Sequence, residues 1–446
     1  MEATAGSVLE SRVWERGRAA LGVYKHRQPE GTSLYRLVYQ YRDEFERSWE
    51  ERFQSKYGVL RHEVLEALDE YLNCGILAHG CVQVYCDQCR HSEVLGFSCR
   101  KRGICPSCGM KHAVMFAEHM YHDVLERVPH RHTGFTIPKR LRKYILFHRE
   151  LADVLFDAAW GAVKELYEAV KPGCKVGAVF ELHTTGDNLQ WHPHLHSMQT
   201  NGCFDAQGNF HELSLDIEKL GLLFGVKVLK KLKKYYKTIP GLEEACEQIA
   251  SQEHSGFGAW QGEVIKVTDK NYQLFLSRYL DKHPLSAQRI ELAGDKVHYH
   301  AKSGEVSQFD PLEFLALLGQ HVPNKWESRR RYLGYYSHRD RGRRKREAEE
   351  KAAAEKQDQS QSGIKCTPAT PELKKKASRR WAELIKKVFN VDPLVCPKCG
   401  ATMRIKSFIV DQHEIQKLLK NLGVPGWTKP EPIKRAPPDS DQWPMQ

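Results

Sequence analysis

The stretch Trp191-His192-Pro193-His194-Leu195-His196 is a dense run of histidines that follows the turn-like segment Gly186-Asp187-Asn188. On an extended strand, residues two apart point to the same face, so His194 and His196 lie side by side while Leu195 points into a core. Two neutral imidazoles on one face are a suitable pair of ligands for a divalent metal ion. A histidine-rich surface strand without a metal is the competing interpretation of this spacing.

Short strand patterns and amphipathic helical patterns surround this stretch. They predict an α+β fold class, in which an antiparallel sheet with helices carries the histidines. Gly294-Asp295 is a sequence typical of a tight hairpin turn, and it lies between the last two predicted strands. The predicted strands are residues 135–138, 177–183, 264–267, 289–292 and 297–300, and the predicted helices are residues 112–128, 151–170, 216–236 and 242–250.

A third histidine lies close enough along the chain to join the pair. His183 ends a predicted strand eleven residues before His194. If these strands form a hairpin, three imidazoles surround one metal and leave positions open for water or a phosphate oxygen, which is typical of a catalytic site. Packing or hydrogen bonding at the strand end is the competing interpretation of His183. His192 shares the face of His194 and competes for the third position.

Cysteine usage points to metal sites. The chain has 446 residues and thirteen cysteines, and its N-terminus lacks a basic region followed by an apolar one. We therefore expect an intracellular protein, where thiols stay reduced and cysteines bind metals more often than they form disulfides. No apolar run approaches the roughly 20 residues of a membrane span, so we expect no membrane contact.

Two CxxC pairs, Cys86-Asp87-Gln88-Cys89 and Cys105-Pro106-Ser107-Cys108, are separated by fifteen residues. That separation lets two tight turns converge on one tetrahedral ion, which predicts a single zinc site. Reduced core cysteines are the alternative interpretation. The predicted ligands are Cys86, Cys89, Cys105 and Cys108.

The remaining cysteines allow further zinc binding. Cys74, His79 and Cys99 are candidates for a second site, with Cys81 the least certain member. Another pair, Cys396-Pro397-Lys398-Cys399, has no matching second pair along the chain and is weaker evidence. Cys366 and His413 are conceivable extra ligands for it. We expect one or two structural zinc ions in total.

The net charge of +12 is concentrated in one segment. Between residues 325 and 347, ten Lys and Arg residues stand against three Asp and Glu residues. A charge run of this density beside aromatic residues favours polyanion binding over an ordinary solvated surface. The residues predicted to bind DNA are Arg329, Arg330, Arg331, Tyr332, Tyr336, Arg339, Arg341, Arg343 and Arg344.

Tyr279 is a candidate nucleophile on a predicted helix. Its spacing from Phe275 and Leu280 is by itself typical of an ordinary core aromatic. Lys282 follows three residues later and is therefore a neighbour on the helix surface. Because a phenol has a pKa near 10, an attacking tyrosine needs a nearby cation or a metal-polarised target. A Tyr-x-x-Lys pair beside a histidine metal site supplies both.

His194-Leu195-His196 resembles the HUH signature of single-strand DNA endonucleases, and Tyr279-Leu280-Asp281-Lys282 resembles their tyrosine motif. The chain is similar, over about residues 70–425, to rolling-circle insertion-sequence transposases of the IS ninety-one type. The stretches that carry this resemblance are residues 86–108, 192–196, 278–280, 331–336 and 396–400, including Phe97-Ser98-Cys99-Arg100 and Gly103-Ile104-Cys105-Pro106.

The resemblance implies a bacterial, cytoplasmic transposase that nicks one strand at the end of its element. Magnesium or manganese held by His194, His196 and His183 would polarise the scissile phosphate. Attack by Tyr279 would leave a 5′-phosphotyrosine and a free 3′-hydroxyl, with Lys282 offsetting charge. The DNA partner would be single-stranded or hairpin-containing element ends and target. Because no GxxxxGK[ST] loop is present, strand displacement would need host replication or helicase factors.

One position departs from that family. Founding members carry two tyrosines four residues apart, and Phe275 stands here at the earlier position, which implies a single-tyrosine mechanism. Tyr332 and Tyr336 also stand four apart, but around Gly334 in an arginine-rich stretch, and we predict that they stack on DNA bases. A plasmid relaxase or replication initiator would share the chemistry, whereas a noncatalytic zinc regulator would form no covalent adduct.

Composition shifts divide the chain into five predicted regions. These are an N-terminal helical region (1–72), a zinc-binding DNA-binding module (73–129), an HUH tyrosine nuclease core (130–322), a basic DNA-binding arm with a linker (323–362), and a C-terminal unit with a disordered tail (363–446). The order places the candidate metal site within the third region, between two regions suited to DNA binding.

Overall fold

The computed structural model describes residues 27–101, 103–269, 280, 285–357, 394–424 and 430. The helices in these ranges are α1 Ser33–Arg52, α2 Gln54–Tyr57, α3 His62–Leu72, α4 Pro106–His119, α5 Lys139–Phe147, α6 Ala152–Val170, α7 Ile217–Leu232, α8 Leu242–Ala250, α9 Pro311–Gln320, α10 His338–Gln357 and α11 Gln412–Leu422. The strands are β1 Cys81–Tyr85, β2 Ser92–Gly96, β3 His130–Thr136, β4 Gly177–Thr185, β5 Trp191–Thr200, β6 Gly202–Phe204, β7 Phe210–Glu212, β8 Gly258–Ile265, β9 Ile290–Ala293, β10 Lys296–His300, β11 Val306–Phe309, β12 Arg330–Gly334 and β13 Arg404–Ile409. The predicted mixture of helices and antiparallel sheet is confirmed.

A five-stranded antiparallel sheet forms the centre of the fold, in the order β12-β4-β5-β3-β8. The histidine-bearing strand β5 is its middle strand. Alternating apolar residues such as Phe135, Phe180 and Leu195 point to one face, where α6 and α7 cover them in the largest buried cluster. The metal-ligand candidates point to the opposite face.

The opposite face of the sheet is only partly apolar. Val179 and Met198 pack there against Phe116 of α4 and against Met120 beyond its end. Histidines occupy the same face towards the other end of β4 and β5. A sheet with one apolar face and one mixed face leaves room for a polar site that remains attached to a rigid core.

The edge strand β12 lies within a segment predicted to be a separate basic arm. In the structure it pairs with β4, and Arg330 forms an ion pair with the buried Glu181 at 2.6 Å. Arg331 pairs with Asp153 and Asp157 of α6. Because the charges of β12 are neutralised by distant residues, the strand joins the sheet despite its weak apolar alternation.

The N-terminal helices pack on the rest of the molecule. At the start of α1, the Thr32 hydroxyl accepts a hydrogen bond from the Tyr35 backbone N–H at 3.3 Å. The apolar side of α1, including Phe45 and Trp49, packs with α3, while α9 contacts it from the central region. The helices predicted within residues 1–72 therefore share a core with residues beyond 285.

Two smaller sheets complete the described fold. The predicted hairpin at Gly294 joins β9 to β10, and these strands form a separate three-stranded sheet with β11. In the other, β13 pairs with β1, and β1 pairs with β2. The C-terminal segment, predicted as a separate unit, therefore extends a sheet of the cysteine-rich region. Within the described ranges, no helix is long and apolar enough to cross a membrane.

Candidate functional site

Three of the predicted histidines meet on the mixed face of the central sheet. The β4–β5 pairing places His183 opposite His194, and His196 follows two residues later on the same face. One ring nitrogen from each of these three residues lies within 4.8 Å of the other two. The His183 and His196 ring centroids are 4.3 Å apart, and those of His194 and His196 are 4.8 Å apart. This histidine cluster can hold a divalent metal ion.

Backbone carbonyls orient two of the three rings. His183 donates through Nε2 to the carbonyl oxygen of Leu280 at 2.8 Å, and His194 donates through Nδ1 to the carbonyl oxygen of His192 at 2.7 Å. Each bond places the ring hydrogen on the donating nitrogen, so Nδ1 of His183 and Nε2 of His194 are the unprotonated nitrogens. Metal-binding histidines commonly use the second nitrogen in this way, which fixes the tautomer and the ring direction.

A fourth histidine that was not predicted orients the third ring. His132 Nε2 lies 2.9 Å from His196 Nδ1, and the two rings stack with centroids 5.0 Å apart. When His196 Nδ1–H donates to His132 Nε2, Nε2 is the unprotonated nitrogen of His196, which is the tautomer that a metal ligand needs. His132 stands on β3, next to β5. The pattern His130-Arg131-His132 repeats the alternate spacing of the histidine stretch and is the signal that could have revealed it.

Burial favours neutral imidazoles in this cluster. It lowers the pKa of His183 to about 3, with the nearby His194 adding to the effect. Burial also lowers the pKa of His132 to about 4 and lowers the pKa of His194. Since only a deprotonated ring nitrogen binds a metal, these shifts favour metal binding over protonation at neutral pH.

His192 lies beside the cluster without entering it. Its ring centroid is 4.9 Å from that of His194, and its backbone carbonyl orients His194. Among the described histidines, the group whose ring nitrogens converge consists of His183, His194 and His196. The geometry therefore favours His183 over His192 as the third ligand.

An exposed indole lies next to the histidines. Trp260 of the edge strand β8 is 41% exposed, with its ring centroid 4.8 Å from that of His132 and 5.8 Å from that of His196. A Cβ atom on Gly134 would lie 2.3 Å from this indole. Glycine at position 134 therefore lets the indole approach the backbone of β3 closely, beside the histidine cluster.

Tyr279 and Lys282, the predicted nucleophile and its neighbour, lie outside the described residues. Leu280, which follows Tyr279 in the chain, is described and is almost fully buried. Its carbonyl oxygen accepts the hydrogen bond from His183. The chain segment that carries the predicted tyrosine motif therefore has one residue in direct contact with the histidine cluster.

Eight of the described cysteines form two clusters, and the predicted grouping of Cys86 and Cys89 with Cys105 and Cys108 is wrong. In the first cluster, Cys74 Sγ lies 3.6 Å from Cys105 Sγ and 3.7 Å from Cys108 Sγ. Cys99 Sγ lies 3.7 Å from Cys108 Sγ. A tetrahedron with Zn–S bonds of about 2.3 Å has edges of about 3.8 Å, so four thiolates fit one zinc ion here.

The first cluster uses two residues that were assigned to a different site. Cys74 and Cys99 are predicted to bind with His79, but His79 is exposed at the end of a short 3-10 helix and lies outside the cluster. Cys105 occupies the position just before α4, and Pro106 is the first helical residue. The Cys99 backbone N–H donates to Cys74 Sγ at 3.4 Å, a contact that favours a thiolate.

The second cluster joins distant parts of the chain. It consists of Cys86 and Cys89 together with Cys396 and Cys399, whose sulfur atoms lie within 4.8 Å of one another. The C-terminal pair therefore has a matching pair, which the sequence order conceals. His413 lies in α11, outside this group, and Cys366 lies outside the described residues.

Most of the arginines predicted to bind DNA have partners within the protein. Tyr336 is fully buried, and its hydroxyl lies 2.6 Å from His130 Nε2, so the prediction that it stacks on DNA bases is wrong. Tyr332 is half-buried, and Arg339 is exposed. Partners of the other arginines are the His321 carbonyl for Arg329, Glu181 for Arg330, Asp153 and Asp157 for Arg331, the Tyr336 carbonyl for Arg341, Glu347 for Arg343 and Glu126 for Arg344. DNA binding by this segment stays a prediction.

Comparison with known proteins finds two regions that match protein families. A transposase zinc-binding domain matches residues 44–137, and a putative transposase domain matches residues 177–345. The transposase for insertion sequence element IS801 of Pseudomonas savastanoi pv. phaseolicola is 28% identical over 370 residues, covering 78% of this chain and 84% of the relative. Putative transposase y4qJ of Sinorhizobium fredii is 31% identical over 151 residues, covering 33% of this chain and 36% of the relative. No solved structure matches the chain.

The fold, the metal-ligand clusters and these matches define a DNA transposase that contains a zinc-binding domain. The cysteine cluster of Cys74, Cys99, Cys105 and Cys108 falls within the matched zinc-binding domain, and the histidine cluster falls within the matched transposase domain. The chain belongs to the insertion-sequence transposases of the IS ninety-one type.

Proposed function

We propose that this transposase nicks and rejoins single-stranded DNA at the ends of its insertion sequence through an HUH-type site. The observation that carries the proposal is the convergence of His183, His194 and His196 on the middle of the central sheet. Three imidazoles leave coordination positions open, unlike the closed sets of four cysteines. A bound magnesium or manganese ion would supply electrostatic stabilisation of the scissile phosphate.

Tyr279 is the proposed nucleophile. Its phenolate oxygen forms a bond to phosphorus while the bond from phosphorus to the 3′ oxygen breaks, and that oxygen takes up a proton. The products are a 5′-phosphotyrosine and a free 3′-hydroxyl, so a later attack by a 3′-hydroxyl can release the tyrosine and reseal a strand. Contact between Leu280 and His183 supports this assignment.

Other residues of the chain would position the DNA. Lys282 lies three residues beyond Tyr279 and would offset negative charge at the reacting phosphate. Trp260 presents an exposed indole beside the histidine cluster, where an unpaired base can stack on it. Exposed cations of the 325–347 segment, such as Arg339, would contact phosphates. Single-stranded or hairpin-containing element ends are the substrates that this arrangement fits.

The proposal is tested with single-stranded oligonucleotides from the element ends, labelled at the 3′ end. Because the fragment on the 3′ side of the break becomes attached to tyrosine through its 5′ phosphate, the 3′ label should migrate with the protein after denaturation when manganese or magnesium is present. Chelation should abolish this band. Equal adduct formation with and without a chelator, or DNA binding with no adduct under any metal condition, would contradict the proposal and favour a noncatalytic regulator.

A further inference from the structure

We infer that Cys86, Cys89, Cys396 and Cys399 bind one zinc ion that joins the C-terminal segment to the zinc-binding domain. Cys86 Sγ lies 3.5 Å from Cys399 Sγ, and Cys89 Sγ lies 3.4 Å from Cys396 Sγ. These separations approach the roughly 3.8 Å edge of a ZnS₄ tetrahedron. They are far longer than the roughly 2.05 Å of a disulfide bond.

The two CxxC pairs have the same backbone conformation. In each, the first cysteine N–H donates to the carbonyl of the residue five positions later, at 2.8 Å for Cys86 to His91 and 2.8 Å for Cys396 to Ala401. In each, the N–H of the residue after the second cysteine donates back to the first cysteine carbonyl at 2.9 Å. Arg90 and Gly400 occupy this position with φ values of 62° and 72°.

This shared geometry distinguishes the second cluster from the first. The left-handed residue turns the chain so that both sulfur atoms of a pair point to one side, which suits a metal ligand pair. Arg90 is not glycine, so its left-handed conformation has a steric cost that the surrounding contacts must offset. Two such turns facing each other supply four thiolates. By contrast, the Cys105–Cys108 pair begins the helix α4.

Strand pairing and side-chain packing also hold the C-terminal segment against the zinc-binding domain, around the second cluster. Strand β13 pairs with β1, and Arg404 forms an ion pair with Asp87 at 2.8 Å. Val84, Leu394 and Met403 share a small buried cluster with Cys86 and Cys396. Because this core is small, we expect a bound metal ion to supply much of the folding energy of this part of the domain.

The proposed site lies across the boundary of the family matches. Cys86 and Cys89 fall within residues 44–137, whereas Cys396 and Cys399 lie beyond residue 345, where the second match ends. Residues 394–424 are therefore assigned to the zinc-binding domain as its C-terminal part. The proposal concerns a metal site distinct from the histidine cluster and does not depend on the proposed nuclease activity.

Zinc content measured on the full-length protein tests the site directly. Cys89 and Cys399 are exposed, so replacing either with serine removes a ligand at little packing cost. Cys89→Ser, Cys399→Ser and the double variant should each lose the same single zinc ion per chain. Combining Cys399→Ser with Cys105→Ser should remove two ions. Cys81→Ala, which removes a buried thiol outside both clusters, should retain the wild-type content.

A second measurement tests whether this zinc joins the segments. With a protease site inserted between residues 357 and 394, the cleaved wild-type protein should keep its C-terminal fragment through gel filtration, and cleaved Cys399→Ser should release it. Unchanged zinc content in both Cys89→Ser and Cys399→Ser would overturn the site. A fragment retained equally by wild-type and Cys399→Ser proteins would overturn the joining role.

Discussion

The cysteine clusters and the histidine cluster use different chemistry for different purposes. Each cysteine cluster brings together four thiol groups, which can fill a tetrahedral zinc shell completely. The histidine cluster brings together three neutral ligands on a rigid sheet, and an exposed indole lies beside it. A filled shell supplies folding energy, whereas an incomplete shell can accept a substrate oxygen. The comparison predicts that substitutions in a cysteine cluster lower the stability of the protein, whereas substitutions in the histidine cluster lower its activity.

The largest effect is expected at the first cysteine cluster. Cys105→Ser should unfold the surrounding module, since structural zinc contributes about 10–16 kcal/mol in small zinc domains. Cys105 is fully buried between α4 and the N-terminal helices, so the loss should spread to their common core. Circular dichroism during thermal unfolding should show a lower or additional transition, and Cys81→Ala is the control. An unfolding curve for Cys105→Ser that matches that of wild type would contradict a structural role for zinc in the first cysteine cluster.

At the histidine cluster, activity rather than stability should change. His194→Ala should lower the strand-cleavage rate by roughly a thousandfold or more, because the metal contribution is several kcal/mol and each roughly 1.4 kcal/mol is tenfold. The thermal unfolding of the zinc-loaded variant, measured without added manganese or magnesium, should stay close to wild type because His194 is half-buried. Cleavage is measured with labelled oligonucleotide in manganese. Cleavage at the wild-type rate would show that the cluster has no catalytic role.

A smaller effect is expected from the histidine that orients His196. His132→Phe keeps a ring beside His196 but removes the nitrogen at 2.9 Å, so metal affinity should fall roughly 10–100-fold. A manganese titration of cleavage should show a higher half-saturating concentration with recovery at saturating metal. His298→Phe, on the separate β9–β11 sheet, is the control. Equal titration curves for His132→Phe and wild type would contradict the orienting role.

The smallest of these effects is expected at Trp260. Trp260→Leu should weaken single-stranded DNA binding by about tenfold, since stacking on one base is worth about 1–3 kcal/mol. Gly134→Ala, which displaces the indole from the sheet, should have a similar effect. Fluorescence anisotropy with a labelled oligonucleotide measures both, with Tyr39→Leu on α1 as the control. Unchanged binding in both variants would exclude a stacking role for the indole.

Local spacing predicted the histidine hairpin well. Alternation along β4 and β5 fixes which side chains share a face, and the short connection at Gly186 lets the two strands pair directly. For the same reason, the helices α6 and α7 and the β9–β10 hairpin agree with their patterns. His132 was missed because its relation to His196 depends on which strands are neighbours, and strand order is not a local property.

Nonlocal pairing explains the errors. The fifteen-residue separation of two CxxC pairs suggested one site, but Cys86 and Cys89 pair with cysteines more than three hundred residues away. Strand β12 is rich in arginine because Glu181, Asp153 and Asp157 neutralise its charges, and these partners are also far along the chain. Composition alone therefore did not reveal that residues 330–334 form a strand of the central sheet.

The most direct test of the account is to map the covalent adduct between the full-length protein and single-stranded element-end DNA. Peptide mass spectrometry should place the DNA on Tyr279, and Tyr279→Phe should form no adduct while still binding the oligonucleotide. Adduct formation by the wild-type protein should require a divalent metal, and a variant with a disrupted histidine cluster should form no adduct. An adduct on Tyr332 or Tyr335, or an unchanged yield in Tyr279→Phe, would contradict the proposed mechanism.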